Sequence, residues 1–316
     1  MFDPRHLQLL QEIARTGSLS AAARELGFSQ PAVSYQLRTL ERMVGTVLVV
    51  RNGRSASLTP AGEVLAGHAD RILSSIETAE QELADIVGTQ AGRVRVAAFP
   101  SSCATIVASA MATMRRRRPA VEVLLSQAEP RRAETMVRRG EVDLAVSYRY
   151  EGIERRPEPP GGGRTPLQRI TLLHDPVRVV LAADHPLAEQ PEVKLEELAD
   201  ATWLTSSQTF EAILQRAAAG LGFTPETTTV YDDHVSMQSL VAHGLGVAVL
   251  PRLALHAHLD DRVVCRIVRD WPARLVEAEL WPDRMRVDAV SAMLATLRSA
   301  CRRYTEPETS PDGPPG

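Results

Sequence analysis

From Ser29 to Arg38 the chain reads Ser-Gln-Pro-Ala-Val-Ser-Tyr-Gln-Leu-Arg, an order that sets polar contact groups ahead of an apolar stripe. The amide of Gln30 donates and accepts together, as bidentate contact with adenine requires, and Ala32 and Tyr35 offer surface to a thymine methyl group or a sugar. Arg38, about one turn further on, suits phosphate. A second basic pair, Arg51 and Arg54, flanks the turn dipeptide Asn52-Gly53, where it would track the backbone or probe a minor groove. Singly these residues are weak signals, since an exposed Gln or Arg is most often merely solvated. The ordered set of Ser29, Gln30, Pro31, Ala32, Ser34, Tyr35, Arg38, Arg51 and Arg54 points to duplex nucleic acid.

Those residues need a scaffold of three short helices and a hairpin. Apolar residues at helical spacing predict a helix over 4–15, interrupted at Thr16-Gly17. Ser18 is placed to cap a second helix over 19–26 that stops at Gly27, and Ser29 a third, with Pro31 early in it and Val33, Leu37 and Leu40 as its buried face. In a helix-turn-helix the second helix of the unit enters the major groove N-terminus first. Strands over 47–50 and 55–58 complete a winged helix-turn-helix. Thr59-Pro60 then opens a long helix in which Leu65, Ala69, Ile72, Ile76, Ala79, Leu83 and Ile86 recur in steps of four and three, a coiled-coil seam expected to join two chains. Residues 88–92 form a hinge.

Beyond it, apolar strands and amphipathic helices alternate as in a parallel α/β sheet: strands over 94–98, 121–125 and 144–147, then 177–181, 203–204, 227–231, 247–250, 263–267 and 275–280, with a helix over 210–219 stopping at Gly220 and a closing helix over 287–304. Residues 151–166, dense in Pro and Gly, read as a surface loop near a passage between lobes. In such sheets a ligand sits beyond the carboxyl ends of strands, against helix N-termini. The candidate effector contacts are Ser101, Ser102, Gln127, Glu129, Ser147, Thr205, Ser206 and Ser207, with Val247 as an apolar wall, and a small organic anion fits them best. Each hydroxyl also has a plain role as a helix cap.

The chain's formal charge of −3 hides an asymmetry: seven arginines against four acids give +3 in the first sixty residues, leaving −6 for the remainder. With 44% hydrophobic and 24% charged residues, neither disorder nor a fibre is indicated. The N-terminal residues carry Asp3, Arg5, His6 and Glu12, which excludes the apolar stretch of a signal peptide, and no later run is long enough to span a bilayer; the expected compartment is the cytoplasm, with no membrane partner. Cys103, Cys265 and Cys301 form neither a disulfide framework nor a zinc pattern, so no metal and no cofactor are expected. Two other readings stay open. Cys103, near a helix N-terminus, would make a redox sensor if its thiol were acidified. An enzyme on a binding-protein-like fold would need a positioned base or nucleophile, for which no motif is present. The run from Arg115 to Arg118 ends a helix before Pro119 and reads as a solvated C-terminus.

The sequence resembles the LysR-type transcriptional regulators. Ala21-Ala22-Ala23-Arg24-Glu25-Leu26, Ser29-Gln30-Pro31-Ala32-Val33-Ser34, Leu40-Glu41 and Leu58-Thr59-Pro60-Ala61-Gly62 follow that family's N-terminal pattern, while His185-Pro186-Leu187 and the run from Val241 to Pro251 look like its effector domain. Tyr35 stands where many members carry Arg. The resemblance implies a winged helix-turn-helix over 1–60, a linker and dimerisation helix over 61–91, and a two-lobed domain like type 2 periplasmic binding proteins over 92–305, with lobe I about 92–167 and 268–305 and lobe II about 168–267; it leaves out residues 306–316, whose Pro-rich, polar composition reads as a disordered tail. It implies double-stranded DNA, a small effector, a homodimer assembled into a tetramer and RNA polymerase as partners.

Overall fold

Helix α1 (Pro4–Thr16) begins where the Asp3 carboxylate accepts the Arg5 N–H, and ends at Gly17, whose φ of 63° closes the last turn. The computed structural model describes residues 3–53, 55–87, 92–153, 166–205, 208–229, 233–269 and 271–305. Ser18 caps α2 (Leu19–Glu25), and Ser29 caps α3 (Gln30–Val44) by accepting the Ala32 N–H. The apolar sides of the three helices close on one another around Leu9, Leu10, Ile13, Ala22, Val33, Leu37 and Leu40.

The wing pairs β1 (Val49–Asn52) with β2 (Ser55–Leu58), antiparallel, with Arg51 opposite Ala56. It starts two residues later than 47, and just before it the Leu48 N–H is taken by the Glu41 carboxylate, which also reaches the Val49 N–H. Helix α4 (Pro60–Val87) follows, and at its first turn Gly62 lies so close to the Leu48 carbonyl that a Cβ would collide with it. Gln11 donates to Asp70 at 2.5 Å, Leu65 packs on the head's core and Ala69 is fully covered within the chain. The exposed apolar part of the expected seam therefore lies further along, at Ala79 and Leu83, with Ile72 and Ile76 half-buried; the Ile86 side chain lies outside the described residues. The hinge at 88–91 and the tail at 306–316 also lie outside them.

The body holds two sheets. Lobe I contains β3 (Arg93–Ala98), α5 (Pro100–Ser102), a π-helical turn at Cys103–Val107, α6 (Ala108–Arg117), β4 (Glu122–Gln127), α7 (Pro130–Arg138), β5 (Leu144–Tyr150) and β6 (Gln168–Asp175). The chain then enters lobe II with β7 (Val177–Ala182), β8 (Glu192–Val193), β9 (Thr202–Thr205), α8 (Gln208–Leu221), β10 (Glu226–Thr229), α9 (His234–Ala242), β11 (Val247–Pro251), α10 (Arg252–Ala257) and β12 (Val263–Val268). It returns to lobe I through β13 (Arg274–Leu280), a 3-10 turn at Pro282–Arg286 and α11 (Asp288–Cys301). Lobe I packs α6 and α11 on its sheet through Val96, Ile106, Met114, Val276, Val290 and Leu294. Lobe II has cores on both sheet faces, around Trp203, Phe210 and Val249 on one and Val180, Met237 and Leu250 on the other.

Three expectations need correction. The sheets are mixed: β4-β3-β5 and β10-β9-β11 are parallel as read, but the strands that carry the chain across, β6, β7, β12 and β13, make antiparallel pairs. With β6 in the lobe I sheet, the first crossing comes at Pro176 rather than at 168. Helix α8 runs through Gly220, and the left-handed residue after it is Gly222, at φ 83°. Residues 154–165, most of the Pro- and Gly-rich loop, lie outside the described residues.

Candidate nucleic-acid interface and interlobe cleft

At about 100° per residue, Gln30, Pro31, Ser34, Tyr35 and Arg38 share one arc of α3, while Val33, Leu37 and Leu40 turn inward. Ser29, Gln30, Pro31, Tyr35 and Arg38 are exposed, Tyr35 to 64%, and Ala32 is half-buried. Ser34 differs from its neighbours on that arc. It sits beside the inward stripe, only 7% exposed, and its hydroxyl accepts from Gln30 Nε2 at 3.3 Å and from Arg51 Nη2 at 3.5 Å. It therefore links the Gln30 amide to the wing through Arg51. Arg54 lies outside the described residues.

In the body a narrow cleft, open to solvent, lies between the lobes. Phe99, Pro100, Ser101, Glu129, Tyr148, Tyr150 and Arg274 line it from lobe I, and Phe210, His234, Val249 and Pro251 from lobe II. Of the residues expected there, it brings together Ser101 and Glu129. Ser102 is fully buried inside the first helical turn and donates to the Phe99 carbonyl at 2.8 Å; Phe99, not a serine, is the capping position. Ser147 and Val247 are buried in their sheets, and Gln127 is exposed at the end of β4, outside the lining. The Thr205 hydroxyl is buried with no hydrogen-bond partner among the described residues, next to Ser206 and Ser207, which lie outside them.

Sequence reasoning missed the feature that dominates the cleft floor. Arg274 lies with its guanidinium carbon 4.7 Å from the ring centres of both Phe99 and Tyr148, and donates to Asp175 Oδ2 through Nε at 2.9 Å and Nη2 at 2.6 Å. Nη2 also reaches Ser101 Oγ at 3.1 Å. Burial alone would lower its pKa, but Asp175, helped by Tyr150 and Tyr148, holds it above the ordinary value, so the group is a cation. The rings of Phe99, Tyr148, Tyr150, Phe210 and Trp271 follow one another across the cleft at 4.9, 6.0, 6.5 and 5.1 Å. Five of the chain's thirteen aromatic residues form that ladder, and four of them, Phe99, Tyr148, Tyr150 and Phe210, border the cleft while also packing into the lobes' cores. The signal available in the sequence was Tyr148 and Tyr150, two residues apart at the end of a strand and therefore on one face.

The cysteine reading is not supported. Burial, with Glu129 adding to it, pushes the Cys103 thiol above its ordinary pKa, while Cys265 is raised to about 11 and Cys301 to about 12. Among the described residues no group of three or more His, Cys, Asp or Glu is arranged to hold a metal ion, and no helix is long and apolar enough to cross a membrane.

Residues 4–63 match the family described as bacterial regulatory helix-turn-helix protein, lysR family, and residues 88–302 match LysR substrate binding domain. The small neutral protease regulatory protein of Streptomyces coelicolor is 33% identical over 279 residues, covering 85% of this chain and 83% of that protein. The HTH-type transcriptional regulator MetR of Salmonella typhimurium is 31% identical over 310 residues, 95% of this chain and 92% of the relative. Among solved structures, a full-length OxyR point variant from Pseudomonas aeruginosa superposes with a TM-score of 0.70 at 21% identity, covering 96% of this chain and 97% of that one. CbnR complexed with its target DNA gives 0.58 at 17% identity, covering 95% and 100%. At these identities the structures speak to the fold.

Proposed function

The chain belongs to the LysR family of bacterial transcriptional regulators, and from that membership we propose how its residues divide the work. It is a DNA-binding regulator with an effector-binding domain, not an enzyme. Gln30 reads a base edge at the mouth of α3, Tyr35 meets a thymine methyl group or a sugar, and Arg38 and Arg51 hold phosphates. The observation that carries this assignment is the contact of Gln30 and Arg51 on the one Ser34 hydroxyl, which sets the base-reading and backbone-gripping groups in a fixed relation before DNA arrives.

Two chains join in the cytoplasm through the apolar strip of α4 and present two heads to adjacent half-sites of a dyad, and pairs of dimers form a tetramer. A small organic anion binds between the lobes, in the cleft that Ser101 and Arg274 border, and closure on it changes promoter bending or contact with RNA polymerase. Selection of bound duplexes from a random pool by the full chain, with and without small organic acids, tests both halves. An enriched dyad whose binding or bending responds to one acid is expected; a pool that stays random overturns the head assignment, and an enriched motif indifferent to every ligand overturns the cleft assignment.

A further inference from the structure

Helix α4 runs from the head along lobe I, and where they meet most closely the contact is between charges. Glu77 Oε2 accepts from Arg284 Nη2 at 2.6 Å and from Arg95 Nη2 at 3.0 Å. Behind the two guanidinium groups lies Asp143, its side chain fully buried, which takes the Arg95 backbone N–H at 2.7 Å, Arg95 Nη2 at 2.9 Å and Arg284 Nη1 at 3.3 Å. Arg284 itself is 1% exposed. Arg95 stands on β3, Asp143 just before β5 and Arg284 in the 3-10 turn after β13, so three members of the cluster come from lobe I and the fourth from α4.

Charge buried this deeply is tolerated only when its groups are paired in good geometry, and one carboxylate cannot match two guanidinium groups. Glu77 brings the second. One neighbouring contact holds the same orientation, as Ser75 Oγ donates to the Asp283 carboxylate at 3.0 Å, and Gly140, at φ 68° beyond α7, leaves room beside Glu77, where a Cβ would stand 3.5 Å from Oε2.

We propose that Glu77 is a positioning residue that locks α4 onto lobe I and so sets the angle at which the DNA-reading head stands to the body. The lock rests on this chain's own ion pairs and holds whether or not the cleft takes a ligand.

Hydrogen exchange and small-angle scattering on the full chain test it, comparing wild type with Glu77→Gln, Glu77→Lys and, as a control on exposed α4 surface, Glu80→Ala. Glu77→Lys sets a third cation against the two guanidinium groups. It is expected to speed amide exchange in residues 281–287 by about tenfold and to enlarge the radius of gyration, while exchange in α1 to α3 and in α11 stays as in wild type. Glu77→Gln, which keeps an acceptor without the charge, falls between, and Glu80→Ala matches wild type. Unchanged exchange and scattering in Glu77→Lys would overturn the proposal. So would acceleration spread evenly over α11 and β3, which would make Glu77 a general stabiliser.

Discussion

Arg274 and Asp175 face each other as the first residue of β13 and the last of β6, paired directly in the lobe I sheet and bridged by two hydrogen bonds of 2.9 and 2.6 Å. They stand where the chain leaves lobe I and where it comes back. Asp175 spends its other oxygen on the Leu253 N–H at the start of α10, at 3.0 Å, so one carboxylate ties both crossings and a lobe II helix together. The floor of the cleft and the hinge between the lobes are the same ion pair.

Removing one partner of a buried pair strands the other charge, which costs about 3–5 kcal/mol. Asp175→Ala should therefore lower the urea unfolding free energy of the full chain by about that amount, and Asp175→Leu combined with Arg274→Met should recover much of it. A loss under about 1 kcal/mol for the single variant would mean that the guanidinium finds water and that the ion pair does not hold the hinge.

If Arg51 holds phosphate from the wing as proposed, Arg51→Ala should weaken binding to all duplexes alike and lower the salt slope by about one. Binding titrations at several salt concentrations measure it. A change in base preference with an unaltered slope would assign Arg51 to a base edge instead.

Gly62 permits the start of α4 to touch the carbonyl of Leu48. Gly62→Ala should force the two apart at a cost of about 1–3 kcal/mol, seen as a lower melting temperature of the head with the body's transition unmoved. An unshifted head transition would show that the wing yields without penalty.

Burial raises the Cys103 pKa, so the thiolate fraction at pH 7 is smaller than for a free cysteine. Alkylation of the folded chain by iodoacetamide should be slower than after unfolding, with its rate climbing at pH values above the ordinary thiol range, and dilute peroxide should leave DNA binding intact. Rapid alkylation at neutral pH, or loss of binding on mild oxidation, would revive the redox reading.

The head was legible because its signals are local. Ser18, Ser29, Pro31, Gly17 and Gly27 act within one or two turns of themselves, and each does in the structure what its type suggests. The tie of Ser34 to Arg51 was not legible because the two stand seventeen residues apart. The cleft failed for the same reason on a larger scale: Arg274 meets Ser101 across 173 positions and Asp175 across 99, and neither contact leaves a period or spacing in the sequence. Serines after strands were natural candidates, yet Ser102 turned inward because the helix begins two residues earlier, at Pro100. Strand β6 was hidden by the Pro- and Gly-rich segment before it, which shifted the lobe boundary.

The most direct test of the account is the ratio of affinities for a selected duplex and a scrambled one at fixed salt, measured for wild type and for Gln30→Ala. Wild type should prefer the selected duplex by about a thousandfold or more, and Gln30→Ala should give up about 1–3 kcal/mol of that preference while melting at the same temperature. A Gln30→Ala protein that keeps the full ratio would contradict the claim that α3 reads the bases through this residue.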